Sequence, residues 1–294
     1  MKCFAIASTL MAACALTESL VAADGAEGAA WGYKTNDASM ASPEQWAEHY
    51  PTCGGSSQSP IDISVTAGCN SDERSLTLSG ECADFNLTQS DESFKASVNG
   101  GTLLICVLDL SLIGQSFNVW DVATIGSCAV SANDASYDML QFHLHAPSEH
   151  TLNGKALDGE VHFVHSNTDG SALLVVGVFF EAVEGGETDA WVASVLDAMD
   201  TVSSNSTVPM SLASYSDLVN TAADAHGVYN YPGSLTTPAC DEIVDWWVIK
   251  EPVQLSTTDF ERLQSQLKEL HVTDDGKNAR PVQALNGRVI STFN

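Results

Sequence analysis

Basic residues are scarce: eleven lysines and arginines face 38 aspartates and glutamates in 294 residues, for a formal net charge of −27. So acidic a surface repels the phosphates of nucleic acids and anionic membranes, and neither is expected as a partner. Long apolar runs are missing too. Beyond the N-terminus no stretch reaches the roughly 18 apolar residues that a membrane-spanning helix requires. No Cys-x-x-Cys pair occurs, which argues against a thiolate zinc site. No repeat and no Pro- or Gly-rich linker divides the chain, so it reads as one domain.

The N-terminus reads as an address rather than as structure. Lys2 precedes the apolar stretch from Cys3 to Leu16, and Val21 and Ala23 fit the small-residue positions before a signal-peptidase cut. Residues 1–23 are therefore expected to be a signal peptide and 24–294 the mature domain, leading to secretion or to an endomembrane or other extracytoplasmic compartment. Lys2 and Glu18 cancel, so the acidity stays with the domain. It suits solubility, or a salty medium that screens self-repulsion. Cys53, Cys69, Cys82, Cys106, Cys128 and Cys240 remain, an even number for an oxidising compartment, with their pairing open. The sequons Asn86-Leu-Thr88 and Asn205-Ser-Thr207 agree with a secreted glycoprotein.

Most of the middle reads as strand. Thr102–Leu108, Met139–His145, Glu160–His165, Ala172–Phe180 and Ile243–Ile249 are short, rich in β-branched and aromatic residues, and bounded by Gly, Asn or Asp. Two helices are predicted, over about Asp189–Met199 and Thr258–Leu270, the second with Ser256 or Thr257 as cap. Many strands with few helices imply a large, mostly antiparallel sheet.

His143 and His145 lie two apart in one predicted strand, so both rings project from one face. Glu160, His162 and Val164 share a face of the next strand, and a turn at Asn153-Gly154 lets that strand fold back beside the first. Three neutral imidazoles leave a fourth tetrahedral position for water, which is the pattern of a catalytic zinc. Gln141 and Glu160 share faces with these histidines and are placed to fix their tautomers. His165 falls on the opposite face and reads as structural, and the isolated His49, His226 and His271 read as hydrogen-bonded core residues or surface ones.

The chain resembles the α-class carbonic anhydrases. The likeness is carried by Trp31-Gly-Tyr33, Gln58-Ser-Pro-Ile-Asp62, Ser116-Phe-Asn-Val119, Gln141-Phe-His-Leu-His145, Ser148-Glu-His-Thr151, Glu160-Val-His162, Tyr231-Pro-Gly-Ser-Leu-Thr-Thr-Pro238, Asp245-Trp-Trp-Val248 and Asn278-Ala-Arg-Pro281, in that order along nearly the whole mature chain. The resemblance implies a mainly β fold: a twisted, mostly antiparallel ten-stranded sheet with peripheral helices and a cleft ending at zinc. It makes His143, His145 and His162 the Zn2+ ligands, with Gln141, Glu160 and the Asn278 backbone behind them. Thr236 would accept a hydrogen bond from the zinc-bound hydroxide and donate its own hydroxyl hydrogen to Glu149, and Thr237 would contact bicarbonate. Val164, Val175, Leu235, Val244 and Trp246 would form the apolar pocket for CO2. A Cys53–Cys240 disulfide is implied as well.

The reaction implied is reversible hydration of CO2 to bicarbonate and a proton. In this family zinc lowers the pKa of its bound water to about 7, a value that belongs to carbonic anhydrases at large. The family's fast members carry a proton-ferrying histidine two residues before the Phe of the Phe-Asn-Val segment. Here that position is Gln115, whose carboxamide does not titrate near neutrality, so proton release is expected to be slow, with Tyr33 and ordered water as the remaining route. The alternative is a binding, matrix or storage protein on the same scaffold, to which catalysis is dispensable. The oligomeric state stays open, a dimer included.

Overall fold

The β-branched and aromatic runs build one twisted sheet. The computed structural model describes residues 30–64, 74–80, 82–98, 102–103, 124–125, 128–132 and 135–293. Its main strands are β1 (Leu76–Ser79), β2 (Asp84–Gln89), β3 (Phe94–Val98), β4 (Ala129–Ala132), β5 (Ala135–His145), β6 (Gly159–Ser166), β7 (Leu173–Val183), β8 (Thr207–Ser211), β9 (Val228–Gly233), β10 (Val244–Ser256) and β11 (Ser291–Phe293). The order across the sheet is β8-β2-β3-β5-β6-β7-β10-β9-β11. All of these pairs are antiparallel except β7 with β10. The sheet has eleven strands where the resemblance implies ten. The 11-residue β5 is long enough to pair with two strands on one edge: β3 near Gln141 and Phe142, and β4 from Ala135 to Asp138, with β1 outside β4.

The hairpin expected between the two histidine strands is present. Leu152 pairs with Lys155 across Asn153-Gly154, whose φ values of 52° and 77° are those of a type I′ turn. The expected strand from Thr102 is seen at 102–103, paired with 124–125, and its remainder lies outside the described residues.

Period-two alternation sends the two faces of the sheet to different environments. One face packs under helices: Phe85, Phe142, Phe163, Val176 and Val178 from the strands meet Trp191, Val195 and Leu196 of α2 (Ala190–Met199), Tyr215 and Val219 of α3 (Tyr215–His226), and Leu263 and Leu267 of α4 (Thr257–Leu267). The short α1 (Trp46–His49) lies apart from them, near the N-terminus. Phe142 lies 4.9 Å from Trp191 and 5.7 Å from Phe163, centroid to centroid. Each such buried side chain contributes about 1.5–3 kcal/mol. The other face carries the histidines and a second apolar cluster, described below.

Both predicted helices form. Asp189 caps α2 by accepting from the Trp191 N–H, and Ser256 caps α4 by accepting from that of Asp259. The second helix stops at Leu267, while Leu270 stays buried in the turn that follows. α3 is an addition to the two expected helices. Its Ser-, Asp-, Asn- and Thr-rich composition masks an apolar stripe of Tyr215, Leu218, Val219, Ala222 and Ala223, and Gly227 ends it with a positive φ of 86°.

Cys53 is bonded to Cys240, which closes a 187-residue loop, and Cys82 is bonded to Cys128. The latter selects among the open pairings, while Cys69 and Cys106 lie outside the described residues, as do the proposed signal peptide and Gln115.

His165 points away from the other histidines into the helix-covered core. Its Nδ1 donates to the Leu174 carbonyl (3.1 Å), and its Nε2 accepts from the Tyr215 hydroxyl (2.9 Å). Burial pushes its pKa down from 6.5 to about 4. The unfolded chain therefore takes up this proton before the folded one does. Stability is full above pH 6.5 and falls by about 3 kcal/mol as pH drops from 6.5 to 4. Urea unfolding at pH 7 and at pH 4 should show a smaller difference in His165→Gln than in the parent, and an equal difference would show that His165 is not the source.

Candidate metal centre

Register builds the site. β5 and β6 pair with His143 opposite His162 and His145 opposite Glu160. Because all four side chains lie on the same face, the three imidazoles converge, with one nitrogen of each within 4.8 Å of the others. The remaining nitrogens of His143 and His145 are hydrogen-bonded, and that of His162, without a hydrogen bond, faces a carboxylate. His143 Nδ1 donates to Gln141 Oε1 (2.9 Å), and His145 Nδ1 donates to the Asn278 carbonyl (2.8 Å). Glu160 Oε1 lies 3.0 Å from His162 Nε2. His143 and His145 therefore present Nε2 to the centre, and His162 presents Nδ1. His145 Nε2 is buried with no hydrogen-bond partner, a costly condition that a metal bond relieves.

Burial, followed by repulsion from the neighbouring histidines, holds His143 well below the ordinary imidazole pKa, and burial lowers His145 as well. Both rings are thus neutral, the form in which imidazole ligates. Burial raises Glu160, but its interactions with the His150 and His162 side chains outweigh it and keep the carboxylate ionised. Gly177, opposite His162, makes room for it: a Cβ there would stand 2.7 Å from Glu160 Oε1. Three imidazole nitrogens, each ring with an acceptor behind it, fit zinc with an open position.

Glu149 sits beside this centre, fully buried. Its Oε1 accepts from the Arg280 N–H (2.9 Å), while Oε2 has no hydrogen-bond partner and lies 3.6 Å from His145 Nε2 and 3.9 Å from His162 Nδ1. The bond expected from Thr236 to Glu149 is not formed, because Oε2 is turned toward these imidazole nitrogens. Thr236 is buried, and Thr237 next to it is half-buried, on a loop held by the Cys53–Cys240 bond and the Cys240 N–H to Thr237 carbonyl bond. Tyr33 packs against Trp31 and Trp46. Burial, then the charge of Glu149, holds its hydroxyl un-ionised.

The walls differ in polarity. A single cross-strand row runs Pro209, Asn86, Ser97, Gln141, Val164, Val175, Trp246, Tyr231 from β8 to β9. It is polar from Asn86 to Gln141 and apolar from Val164 onward. Val164, Val175, Val244 and Trp246 belong to one buried cluster, with Leu235 packed against it. Near the polar end, Asp84-Phe-Asn-Leu87 opens β2, a second Phe-Asn segment to set beside the one at Phe117, and the position two before Phe85 is Ala83.

Residues 41–294 match the sequence model of the eukaryotic-type carbonic anhydrases. The chain belongs to the carbonic anhydrase family. It is 30% identical to human carbonic anhydrase 7 over 88% of this chain and 96% of that one, and 30% identical to carbonic anhydrase Nec1 of Nesocodon mauritianus over 84% and 80%. Among solved structures, the α-carbonic anhydrase of Thermovibrio ammonificans superposes with a TM-score of 0.68 at 27% identity, covering 90% of this chain and 99% of that one. The chain is accordingly an enzyme of the carbonic anhydrase type, and its family hydrates CO2 with zinc.

One residue of this carbonic anhydrase site does not stand out in the sequence. His150 is fully buried: its Nδ1 donates to Glu160 Oε1 (2.7 Å), and its Nε2 accepts from the Tyr231 hydroxyl (2.6 Å), which meets Ser59 Oγ at 2.9 Å. The backbone N–H groups of Glu149 and His150 also donate to Glu160 Oε2 (3.0 and 2.9 Å). This network steers the carboxylate beneath His162. Its signal was the buried strand Glu160 alongside a His within Ser148-Glu-His-Thr151, and the second possible ligand group, His150 with Glu160 and His162, is this same network. His150→Phe leaves a carboxylate and a phenol short of partners and should cost about 3 kcal/mol in chemical denaturation. An unchanged midpoint would mean that the network does not hold Glu160.

Proposed function

We propose that His143, His145 and His162 hold one zinc ion with which this chain interconverts CO2 and bicarbonate. The observation that carries the reading is the convergence of three imidazoles where a polar wall meets an apolar one. Zinc bound there supplies a Lewis acid that makes water a nucleophile at neutral pH.

The chain's own residues do the rest. Gln141, the Asn278 carbonyl and Glu160 fix which nitrogen of each imidazole carries its proton. Glu149, held by the Arg280 N–H, has Oε2 free to turn from the imidazole nitrogens it faces and accept from the Thr236 hydroxyl once those nitrogens hold the metal. With its own hydrogen committed to that carboxylate, the Thr236 oxygen is left to accept from the reacting water and so orients it. Val164, Val175, Leu235, Val244 and Trp246 exclude water and hold CO2, a small neutral molecule that needs a dry wall rather than charges. Thr237 donates to the bicarbonate product as it forms.

The proton must then leave. Neither Gln115 nor Ala83, each standing two before a Phe-Asn pair in this region, titrates near neutrality, so the proton leaves through water past Tyr33. The buried Cys53–Cys240 and Cys82–Cys128 bonds favour an oxidising, extracytoplasmic site of action.

Stopped-flow CO2 hydration tests both halves of this reading. Thr236→Val should lower kcat/KM about 100-fold. Added imidazole should raise the parent's kcat in weak buffer about tenfold or more. A Thr236→Val enzyme of parental activity would remove Thr236 from the mechanism, and insensitivity to imidazole would show that proton release is not limiting.

A further inference from the structure

The two glycosylation sequons are equivalent as sequence and opposite in structure. Asn86 lies within β2, which is paired on both sides, to β8 through Pro209 and to β3 through Ser97. Its flanking residues Phe85 and Leu87 are buried in the helix-covered core, so its own side chain faces the other way, in the row that continues through Ser97 to Gln141. That is the polar wall of the metal cleft. The strand spacing of about 4.8 Å puts it about 10 Å from the strand of His143. An oligosaccharide on Asn86 would stand in the cleft.

Asn205 is exposed, in the turn between α2 and β8. The turn is closed by the Ser206 N–H donating to the Ser203 carbonyl (2.9 Å) and the Ser203 N–H donating to Ser206 Oγ (2.8 Å). Thr207, which completes the sequon, is exposed as well and begins β8, the outer strand of the sheet, which among the described residues pairs only with β2. The site is three strands removed from β5 and clear of the cleft.

We propose that Asn205 is the N-glycosylated asparagine of this chain and that Asn86 stays unmodified. The donor is a lipid-diphosphate-linked oligosaccharide. Asn205 Nδ2 forms a bond to the anomeric carbon of its first sugar, the bond from that carbon to phosphate oxygen breaks, the lipid diphosphate leaves, and one amide proton passes to the transferase. The glycan then extends from an exposed turn at the open edge of the sheet.

This rests on the secretory reading above, so the test separates the two. The full-length chain, with its N-terminus intact, is produced in a glycosylating eukaryotic host, and medium and cells are collected. Protein recovered from the medium is treated with peptide N-glycosidase in heavy-oxygen water and its peptides mapped. The expected result is isotope-labelled aspartate at position 205 and none at position 86. The intact-mass shift should vanish in Asn205→Gln and persist in Asn86→Gln, and Asn205→Gln should retain full CO2 hydration. Secreted protein unlabelled at 205, or labelled at 86, overturns the proposal and leaves the secretory reading standing. Protein held in the cytosol overturns both.

Discussion

Everything at the metal centre depends on one pairing register. His143 stands opposite His162, and His145 opposite Glu160, on neighbouring antiparallel strands. A slip of one residue would turn His162 into the helix-covered core and bring Val161 or Phe163 into the cleft. The slip is opposed from both sides. Val161 and Phe163 are fully buried beneath the helices, and the Asn153-Gly154 turn lies in the connection between the two strands. Core packing and metal chemistry therefore select the same register, and the site is assembled by the folding of the sheet itself.

The second requirement is control of charge. A chain of net charge −27 buries Glu149 and Glu160 beside three imidazoles, and neither carboxylate is left without charge-assisted or backbone support. Glu160 accepts from His150 and from two backbone N–H groups, and Glu149 accepts from a third. Buried Arg280 connects this region to the N-terminal segment. Its guanidinium donates to Gln58 Oε1, to the Ser59 carbonyl and to the Cys53 carbonyl, while its own N–H holds Glu149. Removing either partner of such a pair leaves a buried charge unsupported, which costs more than the pair contributes. This explains why motifs far apart in the chain, at 58–62, 148–151 and 278–281, meet at one place.

Much of this is legible in the sequence because period-two alternation states which residues share a face. The spacing of His143 and His145, the face shared by Glu160 and His162, and the opposed direction of His165 all follow from it. The apolar pocket is read by resemblance, and Val164, Val175, Leu235, Val244 and Trp246 are found together. Other features depend on contacts that no local pattern encodes. His150 looks like part of a polar loop until Tyr231, 81 residues away, supplies its second partner. α3 is hidden because alanine supplies part of its stripe and polar helix-neutral residues supply the rest. The eleventh strand reflects the length of β5, which serves two partners on one edge. The Cys82–Cys128 pairing is a distance in space, and spacing alone leaves it undecided.

Three imidazoles holding one zinc ion, without which this chain does not hydrate CO2, is the proposition on which the other roles rest. It is tested by the zinc content of the purified chain together with its CO2 hydration rate, taken before chelation, after it, and after zinc is restored. About one zinc per chain is expected, with loss of activity on removing the metal and recovery on its return. Undiminished CO2 hydration by metal-free protein would contradict it.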